Sequence, residues 1–189
     1  MTETPNPNIV DADSLTGEMH PIRRIVVALG SNLGERLTAL QGAVDALADT
    51  PDVWVTGVSA VYESEPVDAP AGSEAFLNAV VLADTTLPAR RLMDRAMAIE
   101  DAFERERGEV TNAPRTLDVD LIVVGDRRSD EDALRLPHPR GHERAFVLQP
   151  WHDLEPDAHY PGRGPVADLL ARVDSSILSR RDDLELELQ

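Results

Sequence analysis

Residues 112–125 read NAPRTLDVDLIVVG, and the second half of this stretch decides the fold. Leu117–Val124 is apolar on both faces from Leu121 onward, which is the pattern of a central strand covered on each side. Two carboxylates, Asp118 and Asp120, stand at its mouth. Side chains at i and i+2 of a strand share one face, with Cα atoms about 6.6 Å apart at a rise of about 3.3 Å per residue. Both carboxylates can therefore converge on one cation or on two adjacent ones. The alternative is that they lie at an exposed strand end.

Working outward from this strand, Ile25–Leu29 before Gly30 reads as a second buried strand. Leu37, Leu40, Val44 and Leu47 recur at helical spacing, so 36–48 is an amphipathic helix. Val53–Tyr62 reads as one strand, and 63–73, with Pro66, Pro70 and Gly72, as a loop. Phe76–Ala83 is another strand. Pro88 opens a helix whose buried face is Leu92, Ala96, Ile99 and Phe103. A charged loop, 104–114, leads back to the acidic strand. A short helix is expected over 142–150 and a last one near 166–173. The order β-α-β-β-α-β is that of a ferredoxin-like α+β fold, an antiparallel sheet with two helices on one face. Residues 1–20 read as a disordered tail, 21–175 as a single domain, and 176–189 as an acidic tail.

Composition narrows the chemistry. With 189 residues and 42% hydrophobic content, the chain can bury one real core. The net charge of -17 argues against nucleic acid or an anionic membrane as partner. There is no cysteine, hence no thiolate chemistry. All 18 basic residues are arginine, which excludes a Walker lysine and a Schiff-base lysine. Phosphate, if handled, must be held by arginine, metal and backbone amides. No signal-peptide core or membrane-length apolar run is seen, so a cytoplasmic location is expected.

Several residues fit phosphate handling. Arg105 and Arg107 lie in ERERGE, Arg115 precedes the acidic strand, and Arg135, His138, Arg140 and Arg144 crowd LRLPHPRGHER. The guanidinium is a planar fork matched to phosphate oxygens. An alternating Glu-Arg run is also a common solvated surface. GSNLGER (30–36) matches neither phosphate-loop pattern and reads as a turn into a helix. Phe76, Asn78 and Phe146 could hold a flat heterocycle, or both rings could be plain core.

The segments VALGSNLG, VSAVYESEP, AFLNAVV, IEDAFERERGEVTNAPRTLDVDLIVVG and LPHPRGHERAFVLQP occur in this order over about residues 22–160. Together they resemble the 6-hydroxymethyl-7,8-dihydropterin pyrophosphokinases of folate biosynthesis. The resemblance implies a ferredoxin-like fold and magnesium-dependent transfer of pyrophosphate from ATP to the pterin hydroxymethyl group, releasing AMP. It implies that Asp118 and Asp120 hold two Mg2+ ions, and that Arg105 and Arg115 stabilise the transferring group. Glu100, Arg107, Arg115, Leu121, His138 and Arg144 are implied at ATP. Phe76 and Phe146 are implied to sandwich the pterin and Asn78 to read its edge, with Ser64, Glu65, Val67 and Asn112 beside them. Asn112-Ala113 stands where members usually carry tryptophan-glycine, Phe76 stands for a common tyrosine and Ser64 for a common threonine. A monomer with small-molecule substrates is expected. Two other classes stay open on the residues alone: a different magnesium-dependent ATP user such as a nucleotidyltransferase, and a regulatory ferredoxin-like binding domain.

Overall fold

The run of apolar residues from Ile25 needs cover on both sides, and the fold supplies it by making this strand central. The structure, a computed structural model, describes residues 20–66, 71–103 and 117–188. Strand β1 (Arg23–Ser31) pairs antiparallel with β4 (Phe76–Thr85) on one side and β5 (Asp118–Val124) on the other. Strands β2 (Val53–Val58) and β3 (Tyr62–Ser64) both line the far edge of β4. Taking β2 and β3 as one broken strand, the order is the antiparallel ferredoxin-like arrangement.

Helices α1 (Arg36–Ala48) and α2 (Ala89–Ala102) cover one face. They bury Ile25, Val27, Leu29, Ala79, Val81, Val119 and Leu121 together with Leu40, Val44, Leu92 and Ile99. The close approach at the end of α2 needs a glycine: a Cβ on Gly42 would lie 2.3 Å from Cζ of Phe103. The other face, with Val26, Ala28, Val80, Leu82 and Ile122, packs against α3 (Ala145–Leu154) and α4 (Val166–Leu170) through Val147, Leu148, Trp151, Val166 and Leu169.

Five details differ from the sequence reading. The acidic strand β5, expected to be central, ends the sheet order beside β1, and its two apolar faces are covered by helices rather than by a central place in the sheet. The expected strand 53–62 breaks at Ser59, whose N–H donates to the Val80 carbonyl at 2.9 Å while its Oγ accepts from the Val80 N–H at 2.9 Å. A side chain thus stands in for a ladder bond, and the chain re-enters the sheet as β3. Helix α3 runs through Pro150 to Leu154, because burying Leu148 and Trp151 outweighs the lost backbone bond. A hairpin, β6 (Ser129–Glu131) and β7 (Leu134–Leu136), lies between the acidic strand and α3, and β8 (His159–Tyr160) pairs with β9 (Gly164–Pro165) before α4. The C-terminal segment read as an acidic tail carries β10 (Leu178–Arg180), which adds to β3 at the sheet edge, and Leu184 and Leu186 join the core under α1 and α2.

Candidate active site

The sheet register builds the site. Asp118 of β5 lies opposite Gly30 of β1, Gly30 opposite Asn78 of β4, and Asn78 opposite Tyr62 of β3. Cross-strand partners share a face, so these four residues form one row across the sheet, on the α3 side. Asp120 sits two residues along, opposite Ala28, so the two carboxylates do share a face. The middle of the row has no side chain. A Cβ on Gly30 would meet Asn78 Oδ1 at 3.5 Å, Phe76 Cδ1 at 3.6 Å and Asp118 Cβ at 3.9 Å. The space above Gly30 is therefore a slot with an amide and an aromatic ring on one side and a carboxylate on the other.

The amide is fixed. Asn78 is 3% exposed, and its Nδ2 donates to Ser64 Oγ at 2.8 Å, with the Phe76 and Tyr62 carbonyls at 3.4 and 3.5 Å. These bonds hold Nδ2 to β3 and β4 and turn Oδ1 toward Gly30. Tyr62 closes the row; its phenol donates to Asp153 of α3, and burial, then that bond, push its pKa up to about 12.

The cationic wall comes from the segment after β7. His138 donates its N–H to the Ile122 carbonyl at 2.8 Å, and its own carbonyl accepts from the Tyr160 phenol at 2.6 Å. Its Nδ1 accepts from the Arg140 N–H at 3.1 Å, so in the neutral ring the proton is on Nε2. Burial lowers its pKa, with Arg144, Arg140 and His142 acting the same way and Asp120 opposing them. Arg144, immediately before α3, places an NH1 nitrogen 3.6 Å from Asp120 Oδ2 and its Cζ 5.5 Å from the centre of the Phe146 ring. Arg144 thus joins the carboxylate pair to an aromatic side chain, and it is still partly open to an incoming anion.

The structure brings Ser64, Phe76, Asn78, Asp118 and Asp120 together on one face, with Arg144 reaching Asp120 and Phe146 packed against that face's core. Glu65 follows at the end of β3, with its N–H donating to the Ile177 carbonyl at 3.4 Å. Two expected nucleotide residues have their side chains on the α1 and α2 side of the sheet. Leu121 points into the core under α1 and α2. Glu100 is 5% exposed, and its Oε1 accepts from the Val119 N–H at 2.9 Å, so it ties α2 to β5. Val67, Arg105, Arg107, Asn112 and Arg115 lie outside the described residues. The sequence reading missed Gly30 as the floor of the slot, since only the register shows what stands on either side of it.

Asp118 and Asp120 suit a hard divalent cation. Both are oxygen donors on one face, and no third histidine or acidic residue joins them in a cluster among the described residues. Magnesium needs no more than one or two carboxylates when phosphate and water fill its other positions.

Fold and site together define an α+β, ferredoxin-like domain with a slot, floored by Gly30, next to an acidic pair. The sequence model of a family described as 7,8-dihydro-6-hydroxymethylpterin-pyrophosphokinase matches residues 26–156. A Pseudomonas aeruginosa 2-amino-4-hydroxy-6-hydroxymethyldihydropteridine pyrophosphokinase is 40% identical over 153 residues, covering 79% of this chain and 91% of that protein. A Mycobacterium tuberculosis enzyme of the same name is 38% identical over 164 residues, covering 80% and 84%. The fold matches a Plasmodium falciparum HPPK-DHPS wild-type structure with SDX-DHP at a TM-score of 0.62 and 14% identity, covering 82% of this chain. This chain spans 45% of that longer one. The chain belongs to the 7,8-dihydro-6-hydroxymethylpterin-pyrophosphokinase family, and is a pyrophosphokinase by that membership. Among the described residues no helix is long and apolar enough to cross a membrane.

Proposed function

We propose that the protein transfers pyrophosphate from ATP to the hydroxymethyl group of 6-hydroxymethyl-7,8-dihydropterin, with Mg2+, in folate biosynthesis. The observation that carries this reading is the slot over Gly30, with Asn78 and Phe76 on one side and Asp118 on the other. A pterin is a flat ring with a hydrogen-bonding edge and an alcohol at the opposite end. Bound with its edge on Asn78, it directs that alcohol toward the acidic pair.

The pterin oxygen attacks the β-phosphorus of ATP, the bond from that phosphorus to the α,β-bridging oxygen breaks, and AMP leaves with the bridging oxygen. The hydroxyl proton passes to water. Asp118 and Asp120 would hold Mg2+, which when bound supplies charge neutralisation at the phosphates. The remaining work is positioning. Asn78, steadied by Ser64, selects the pterin edge, and Phe76 and Phe146 supply ring surfaces for it. Arg144 and His138 hold the nucleotide from the far side of Asp120. The roles of Arg105 and Arg115 in stabilising the transferring group, and of Arg107, Glu100 and Leu121 at ATP, rest on the family pattern, as do those of Glu65, Val67 and Asn112 at the pterin. The enzyme acts in the cytoplasm as a monomer on these small molecules.

Phosphorus NMR of the products tests the reading. AMP together with a diphosphate ester of the pterin is expected. Free pyrophosphate or ADP as the product would overturn it.

A further inference from the structure

The family match ends at residue 156, yet the chain continues and returns to the site. β10 pairs with β3 in the register Leu178 to Ser64, Ser179 to Glu63 and Arg180 to Tyr62. Each of those three β3 residues lies in the slot wall or between its members: Ser64 fixes the Asn78 amide, and Tyr62 is Asn78's partner in the row. Just past β10, Arg181 donates its N–H to the Val61 carbonyl at 2.9 Å. Its guanidinium is divided between two acids. Nε and one terminal nitrogen hold both oxygens of Asp183 at 2.8 and 2.7 Å, and the other, NH1, reaches Glu63 Oε2 at 3.0 Å. The same Glu63 oxygen accepts from Arg36 NH1 at 3.1 Å, and this Arg36 nitrogen also donates to the Ala75 carbonyl at 2.7 Å. Ala75 immediately precedes Phe76.

Glu63 is thus the hub of a chain of contacts, Arg181 to Glu63 to Arg36 to Ala75, on the opposite side of β3 from Ser64. It links the C-terminal strand to the residue next to Phe76. The paired Asp183 pre-sets the Arg181 fork, which favours one geometry at Glu63. The far end of the segment is anchored as well: Leu184 and Leu186 pack into the core, and Glu187 exchanges two hydrogen bonds with Gln41 of α1 at 2.9 Å each.

We propose that Arg181 is a positioning residue for the pterin slot, holding β3 and the start of β4 through Glu63 so that Asn78 and Phe76 keep their spacing over Gly30. The inference rests on the pterin reading above. The partner of this surface is the chain's own C-terminal strand, and its effect is on the pterin half of the site.

Steady-state kinetics of the full-length enzyme, varying pterin and ATP separately, test this. Arg181→Ala is expected to raise the pterin KM about tenfold while kcat and the ATP KM stay within about twofold. Arg181→Lys keeps the charge without the fork and should fall between. Glu63→Gln is expected to give the same selective rise, and it decides the matter if Arg181→Ala fails to fold. An unchanged pterin KM in a folded variant, or equal losses for both substrates, would overturn the positioning role. Wild-type enzyme that does not turn over the pterin at all would overturn the functional reading, and this inference with it.

Discussion

Gly30 is the one member of the row without a side chain. A single added Cβ there makes only ordinary contacts, at 3.5 Å and beyond, so no neighbouring side chain requires glycine at this position. On the pterin reading proposed above, the need is for the space. Gly30→Ala should fold normally, whereas the two methyls of Gly30→Val would occupy the slot between Asn78, Phe76 and Asp118. Gly30→Val is expected to weaken pterin binding at least about tenfold while ATP binding holds, because only one substrate needs that volume. Equilibrium dialysis with each ligand checks it, and an unchanged pterin affinity would remove Gly30 from the site. The acidic pair was legible in the sequence because a period of two is built into every strand. Gly30 was not, since its neighbours are set by cross-strand register, which no local pattern records. The same holds for Glu63, whose arginine partners lie 27 and 118 positions away.

Among the elements, β5 shows how a buried polar contact fixes the strand that carries the acidic pair. Glu100 on α2 accepts from the Val119 N–H, between the two aspartates in sequence. Removing that acceptor leaves a buried donor unsatisfied, at a cost of about 2 kcal/mol. Glu100→Ala should therefore lower the thermal midpoint, and Glu100→Gln, which keeps an acceptor oxygen, should lose much less. If Glu100→Ala left stability untouched and raised only the ATP KM, the anchoring role would be wrong. At this scale the long periodic elements were readable: α1, α2, β1, β4 and β5 all follow from apolar spacing. The shorter ones were not. Ser59 breaks a strand by a side-chain bond to β4, Pro150 is tolerated because α3 buries its flank, and β10 looks like tail because one half-buried and two exposed residues carry no periodic signal.

At the scale of the whole molecule, the chain has two tyrosines, and both report on its packing. Tyr62 and Tyr160 are 6% and 1% exposed, and burial pushes each pKa up to about 12. A raised pKa means that the folded state disfavours the charged form. The associated stability is fully present below the unfolded value of about 10 and is lost as pH rises toward 12. Ultraviolet titration should show no tyrosinate in the native protein near pH 10 and half-ionisation of both residues near that pH in denaturant. A native tyrosine titrating near 10 would contradict the packing of β3 against α3, or of Tyr160 beneath His138. The two faces of the sheet thus differ: α1 and α2 close one, while α3 and α4 pack on the other, where Tyr62 bonds to α3 and the row runs on to Asp118.

Pyrophosphate transfer to a pterin at this row and its acidic pair is the function we propose. The most direct measurement is AMP release from ATP and Mg2+ with and without 6-hydroxymethyl-7,8-dihydropterin, comparing the wild-type enzyme with Asp118→Ala. Pterin-dependent AMP from the wild type, reduced about a thousandfold or more in Asp118→Ala at unchanged thermal stability, is the expected result. AMP formation by Asp118→Ala near the wild-type rate, or none from the wild type when pterin is bound, would contradict it.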